Sequence, residues 1–399
     1  MNPDLHKLLP YPFERLAKLK QGIAPPPHLS HIPLSIGEPK HAPPELVLDA
    51  LRNNLAGLGA YPVAKGLPEL REAIAAWLTR RFKLGAGRID PDRHVIPVSG
   101  TREGLFAFVQ AVIDRGRQQP LVLMPNPFYQ IYEGGAFLAG AEPWFMDTNE
   151  ESGFLPDLDQ VPESVWQRCQ LLFICTPGNP TGAIMDIAYL KRVIELADRY
   201  DFIVASDECY SEIYLDEHNP PPGLLQACEV SGRHDFRRCV VFHSLSKRSS
   251  VPGLRSGFVA GDAEILAKFL LYRTYHGCAV PNQVQLASIF AWNDEEHVIR
   301  NRALYREKFQ AAMDILGPVM DVTCPPAAFY LWPRTSVDDE TFTRSLFAQQ
   351  NVTVVPGSYL SRNSVYGNPG RNRIRISLVA PVAECSEAMR RVRRYVESL

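Results

Sequence analysis

The sequence contains no apolar run approaching the ~18 residues that a membrane-crossing helix needs, and its first 21 residues are broken by charges at Asp4, Lys7, Glu14, Arg15, Lys18 and Lys20. Neither a membrane span nor a cleaved secretion signal is expected, and the expected location is cytoplasmic. Charge of one sign is also missing: 42 Lys and Arg oppose 44 Asp and Glu, for a formal net charge of -2. Neutralising the phosphates of DNA or RNA takes a basic surface, so nucleic acid is not an expected partner. Eight cysteines are scattered without a Cys-x-x-Cys pair, and ten histidines without a His-x-x-x-His spacing. That leaves no ligand pattern for zinc or another metal and, in a cytoplasmic chain, points to eight buried thiols without disulfides.

What is present is apolar material for a large core, 46% of 399 residues. One core stops growing at ~250–300 residues, so a large and a small unit are expected. Proline is abundant, with 34 residues, or ~8.5% where ~5% is average. Runs at Pro25-Pro26-Pro27 and Pro220-Pro221-Pro222 read as rigid loops, and most of the others punctuate periodic segments. Residues 68–82 place Leu70, Ile74, Trp77, Leu78 and Phe82 at helical spacing behind Pro68, which suits a first turn. Short apolar runs without alternation follow at 95–98, 121–124, 171–175, 202–205, 240–242 and 257–260, and helical patterns such as 103–114 and 188–200 separate most of them. Strands that are apolar on both sides belong to a mostly parallel sheet covered by helices on both faces. After residue 282 longer helices dominate, at 283–292, 296–316, 339–350 and 383–396, with short strands near 329–332 and 374–378. The expected division is an arm and part of a small domain at 1–45, a large α/β domain at 46–282 and an α+β small domain at 283–399.

Ligand chemistry in such a fold gathers at the carboxyl ends of the parallel strands, and five of these open into unusual loops. Ser99-Gly100-Thr101-Arg102-Glu103-Gly104 enters a helix with small residues and free N–H groups, an arrangement that suits a phosphate. Pro125-Asn126-Pro127-Phe128-Tyr129-Gln130-Ile131-Tyr132 offers aromatic rings to a flat ligand. Thr176-Pro177-Gly178-Asn179-Pro180-Thr181-Gly182 is an irregular loop in which Asn179-Pro180 is a candidate cis bond. In Ser206-Asp207-Glu208-Cys209-Tyr210 a carboxylate ends an apolar strand, and its solvation cost implies a positively charged partner. Finally, His243-Ser244-Leu245-Ser246-Lys247 is followed by Arg255 in Gly253-Leu254-Arg255-Ser256-Gly257, adding basic and hydroxyl groups and one amine. Each of these loops taken singly has an ordinary structural reading, as an N-cap, core aromatics, a turn or a solvated charge. Together they call for a flat, phosphorylated ligand with a basic ring nitrogen and a carbonyl, and pyridoxal 5'-phosphate meets all four demands.

In this order the motifs resemble the fold-type I, class I/II pyridoxal-phosphate aminotransferases, over nearly the whole chain from Leu34-Ser35-Ile36-Gly37-Glu38-Pro39 to Arg373-Ile374-Arg375-Ile376-Ser377. The resemblance implies a large domain with a seven-stranded, mostly parallel sheet and a small α+β domain. It implies that Lys247 is the Schiff-base lysine and proton shuttle, and that Asp207 keeps the pyridine nitrogen protonated. Tyr210 and Asn179 would donate to the phenolic oxygen, and Tyr129 would stack on the ring. Gly100, Thr101, Arg102, Ser244, Ser246 and Arg255 would form the phosphate cup. Tyr61 would reach the phosphate of a neighbouring subunit, which implies a homodimer with shared sites. Arg375 would hold the substrate α-carboxylate with Gly37 and Asn179 beside it, whereas Arg371 and Arg373 are expected to be solvated. Ping-pong transfer would follow.

The chain resembles more closely the bacterial succinyldiaminopimelate aminotransferases of lysine biosynthesis, through Leu8-Leu9-Pro10-Tyr11-Pro12-Phe13, Ser246-Lys247-Arg248-Ser249-Ser250-Val251-Pro252-Gly253 and residues 269–277. That implies glutamate as donor, with 2-oxoglutarate as its product, and N-succinyl-2-amino-6-oxopimelate as acceptor. Tyr11, Arg248, Arg273, Tyr275 and His276 are the candidates for the substrate's distal groups. Acetylated or free diaminopimelate, aspartate and aromatic amino acids are the alternative substrates. A lyase or decarboxylase on the same scaffold is the rival enzyme class. A transcription regulator of this fold would need a fused DNA-binding region, for which some 36 mostly Pro-rich residues before the first motif are too few.

Overall fold

The computed structural model describes residues 1–399. Twelve strands are present: β1 (Ile32–Pro33), β2 (Val95–Val98), β3 (Leu121–Asn126), β4 (Glu142–Asp147), β5 (Cys169–Cys175), β6 (Ile203–Asp207), β7 (Cys239–Ser244), β8 (Gly257–Gly261), β9 (Tyr330–Leu331), β10 (Val352–Thr353), β11 (Val355–Pro356) and β12 (Ile374–Ser377). Seven of them form the central sheet in the order β2-β8-β7-β6-β5-β3-β4. All are parallel except β8, which runs antiparallel to both of its neighbours. The expected α/β architecture is therefore present. β4 is the strand that the apolar runs do not announce. It lies at the edge, half-exposed, and carries Pro143 where a central strand would need an N–H donor.

Alternate residues of the central strands feed two separate cores. Leu121, Leu123, Leu172, Ile174, Val204, Val241 and Phe258 pack on one face, and Val122, Met124, Leu171, Phe173, Ala205, Val240 and Phe242 on the other. Both faces are covered, so the sequence shows no polar alternation in these strands. The helix Pro68–Phe82 buries the stripe the spacing predicts and ends at Lys83 in the left-handed region, φ 54°. The helix Thr101–Val112 begins two residues earlier than the sequence pattern suggests. Ala263–His276 is a helix that the pattern does not reveal: only Leu266, Phe269 and Arg273 are buried along it, too narrow a stripe to register as periodicity.

The C-terminal part has its own core, built on the antiparallel sheet β11-β12-β9. The N-terminal segment joins it, because β1 pairs in parallel with β10 and Leu34 O accepts from Ser377 N at 2.8 Å. Asn179-Pro180 is cis, as expected, and so are Asn126-Pro127 and Thr176-Pro177. The cysteine expectation needs correction. No disulfide forms, but only five thiols are buried; Cys209 and Cys278 are partly accessible and Cys324 is exposed. No helix is long and apolar enough to cross a membrane.

Candidate active site

The carboxyl ends of β2, β3, β5, β6 and β7, with the entry to β8, converge on a cavity of about 550 Å³ that β12 and the N-terminal segment close from the other side. Every residue predicted to meet the cofactor or the substrate α-carboxylate lines it except Gly100 and Tyr61. Gly100, at φ 81°, is the residue before the helix Thr101–Val112. A Cβ there would collide with the Arg255 guanidinium, so the absence of a side chain lets Arg255 lie across the loop. Arg255 is held by Pro252 O at 2.8 Å and Ser99 O at 3.4 Å. Ser244 caps the short turn that carries Lys247, its Oγ accepting from Ser246 N at 3.1 Å. Main-chain donors, two serines, Thr101 and Arg255 thus border one end of the cavity. Tyr61 is fully exposed and is not brought to the site within this chain.

Asp207 is 5% exposed at the end of β6. None of the chain's own cationic groups touches it. Its contacts are neutral: Tyr132 donates its hydroxyl at 2.7 Å, and the Cys209 N–H lies at 3.3 Å. Burial therefore holds its carboxyl above the usual range, against the pull of those donors. Lys247 Nζ donates to Gly37 O and lies 5.4 Å from the centroid of the Phe329 ring. Removal from water lowers its pKa to about 8, with the positive charge of Arg375 contributing. Tyr210 shares a hydrogen bond of 2.7 Å with Tyr330, and burial pushes its hydroxyl pKa up.

Arg375, on β12, is 4% exposed. It donates to Asn179 Oδ1 at 3.0 Å and Ser35 O at 2.7 Å, and lies 4.6 Å from the centroid of the Tyr330 ring. Its Nε is buried with no partner. Arg102 donates to the Tyr129 hydroxyl at 2.6 Å, and the Tyr129 ring meets Tyr132 edge-on at 5.8 Å.

Three groups at the site are not distinguished by their local sequence. Tyr132 is one ring among several in the aromatic loop, Tyr330 reads only as strand, and Cys209, which lies 3.0 Å from Thr101 Oγ1, reads as a structural thiol. Only the fold brings them to Asp207, Tyr210 and the helix start. Two candidates for the distal substrate groups are tied up inside the fold. Arg248 is buried between Trp77 and Trp292 and bonds Ala291 O and Glu295, each at 2.5 Å. Arg273 is buried against Glu103 at 2.5 Å and Cys278 O at 3.0 Å. Tyr275 and His276 are not brought to the cavity within this chain, whereas Tyr11 lines it. Arg373 is also buried, not solvated, donating to Trp332 O at 2.8 Å and to Glu150.

Residues 30–392 match the family model of aminotransferases of class I and II. The LL-diaminopimelate aminotransferase of Nitratidesulfovibrio vulgaris strain Hildenborough is 33% identical over 397 residues, covering 97% of each chain. The structure of an aminotransferase from Neisseria meningitidis Z2491 superposes with a TM-score of 0.94 at 50% identity, covering 98% of this chain and 99% of that one. A probable N-succinyldiaminopimelate aminotransferase from Thermus thermophilus gives a TM-score of 0.83 at 29% identity, covering 96% and 100%. With the Lys247 amine, the Asp207 carboxyl and the Arg375 guanidinium converging on one cavity in a fold shared over nearly its full length, the chain belongs to the class I and II aminotransferases.

Proposed function

We propose that this aminotransferase moves the amino group of glutamate to N-succinyl-2-amino-6-oxopimelate, forming N-succinyl-LL-2,6-diaminopimelate and 2-oxoglutarate. One observation carries the chemistry: an amine of depressed basicity, a buried carboxylate without a cation and a guanidinium with an unbonded nitrogen share one cavity. The family works with pyridoxal phosphate, and the residues present fit it. Asp207 lacks the positive partner that a protonated ring nitrogen provides, and the bare Gly100 leaves its loop open beside Arg255. When bound, the cofactor supplies a carbonyl with which amines exchange and a cationic ring that draws electrons from the substrate's α-carbon.

The chain's own residues would do the rest. Asp207 Oδ holds the ring-nitrogen proton, steadied by Tyr132. Tyr210 and Asn179 donate to the phenolic oxygen, and Tyr129 offers a stacking face. Gly100, Thr101, Arg102, Ser244, Ser246 and Arg255 receive the phosphate. Arg375 takes the substrate α-carboxylate with its planar fork, Gly37 and Asn179 bordering it. Lys247 Nζ would remove the substrate's α-proton as a base with a pKa of about 8 and deliver it to the cofactor's carbonyl carbon.

The acceptor is read from the relatives' names and from the cavity's outer wall, where Tyr11 stands with the Arg102 guanidinium 5.8 Å from its ring, beside Gln130. A dicarboxylate places its second acid there. Free LL-diaminopimelate is the second reading, favoured by the curated relatives. Steady-state kinetics on the two keto acceptors separates them: the succinylated acceptor should show the higher kcat/KM by about tenfold, or ~1.4 kcal/mol. A higher value for the free acceptor would replace this assignment with the second, and equal or better rates with oxaloacetate would remove both.

We also read the chain as a homodimer with shared sites. Tyr61 is fully exposed, with Leu55, Leu58 and Val63 exposed around it, a surface suited to covering by a second copy. Light scattering should give twice 44.7 kDa; a single-chain mass at micromolar concentration would sink this reading.

A further inference from the structure

A buried file of polar groups runs from Lys308 to the main chain of Lys247 and has no part in the site described above. Asn301 and Lys308 lie on one face of the helix Glu296–Leu316 and are 6% and 1% exposed. Asn301 Nδ2 stands 3.2 Å from the carbonyl oxygens of both Lys247 and Arg248. Two acceptors identify that atom as the amide nitrogen. Oδ1 then faces the other way, 3.1 Å from Ser250 Oγ and 2.5 Å from His41 Nδ1. An acceptor at that distance requires the hydrogen on His41 Nδ1, so Nε2 presents its lone pair to Lys308 Nζ, also at 2.5 Å. Lys308 further donates to Val379 O at 3.3 Å and makes no salt bridge. A buried ammonium without a carboxylate is costly, and methionine would fill the same space without that cost.

The position of His41 gives the file its meaning. Four residues earlier on the same extended segment, Gly37 O accepts from Lys247 Nζ, and Ser35 O accepts from Arg375 at 2.7 Å. Val379 O, which Lys308 contacts, also accepts from Lys40 N at 3.2 Å. The segment thereby grips Lys247 at both ends, its amine through Gly37 and its main chain through His41 and Asn301. We propose that Lys308, His41 and Asn301 are positioning residues that lock residues 35–41 to the backbone of Lys247, so that the reactive amine, Gly37 and Arg375 keep one relative placement. This rests on Lys247 being the reacting amine.

The test uses the holoenzyme carrying Lys308→Met. Amide hydrogen exchange should rise together in peptides covering 34–42 and 245–251, by about tenfold, with the central strands unchanged. At the same time kcat should fall about tenfold while the KM for glutamate holds within about twofold, because misplacement penalises the reacting geometry more than binding. His41→Phe should reproduce both effects, and carries the comparison alone if the lysine variant does not fold. Unchanged exchange in the two segments, a rise spread evenly through the protein, or an unchanged kcat would overturn the lock. An inactive Lys247→Ala beside a normal Lys308→Met would remove the lock only, whereas an active Lys247→Ala would remove the reading of the amine beneath it.

Discussion

Lys247→Ala should lower the turnover of glutamate by about 10⁴-fold or more, since on the proposed function it deletes the base that moves the α-proton as well as the amine that anchors the cofactor. The fold should survive, because the amine's hydrogen bond is to Gly37 O and the turn around it is held by Ser244, Ser246 and Asn301. The wild-type amine also carries a pH signature. Its pKa is lowered to about 8, chiefly by burial, so the neutral nucleophile becomes the main form above that value. Capture of pyridoxal phosphate by the cofactor-free protein, followed by its absorbance, should therefore accelerate with pH to a midpoint near 8. A midpoint at the ordinary lysine value of 10.5, or substantial turnover in the alanine variant, would contradict the assignment.

Asp207→Asn should lower kcat by about 10²–10³-fold, the cost of losing one pre-placed electrostatic partner, and yet stabilise the cofactor-free chain. The carboxyl's pKa is raised by burial, so on raising the pH the unfolded chain releases this proton before the native one does. Between the unfolded and the folded pKa the native state binds more protons, and stability falls as pH rises. Above the folded pKa the full cost of an ionised, desolvated carboxylate is present. Asparagine has no such charge, and its side-chain oxygen can still accept from Tyr132. The melting temperature of the variant without cofactor should exceed that of the wild type at pH 8, by about 2 °C for each kcal/mol relieved. With pyridoxal phosphate bound, the order should reverse, since the ring nitrogen then supplies the missing cation. A variant as active as the wild type, or less stable without cofactor at pH 8, would count against Asp207 as the ring-nitrogen partner.

Strands buried on both faces, such as β5 and β7, show as unbroken apolar runs, and the helix Pro68–Phe82 carries its own start signal, so local sequence is sufficient for them. The half-exposed edge strand β4 and the helix Ala263–His276 lack such local patterns and exist through their neighbours. The same division holds at the site. Lys247, Asp207, Asn179 and Arg255 stand out because polar groups at the ends of apolar strands are conspicuous. Tyr132, Tyr330, His41 and Lys308 do not, since an aromatic ring in a loop or a lysine on a helix looks the same whether it serves a distant group or a solvated face.

By itself the sequence determined the α/β class, the parallel sheet and the loops that bear the chemistry, because these depend on burial patterns and backbone preferences within a few residues. Only the tertiary structure decided which charges are satisfied and by whom. It gave Asp207 no cation from the chain itself, turned Arg248, Arg273 and Arg373 into buried structural ties, and joined Lys308 to Lys247 through His41 and Asn301. A polar group's partner is chosen by the folded neighbourhood, where desolvation makes every unpaired donor costly, and residues tens to hundreds of positions apart become the nearest ones.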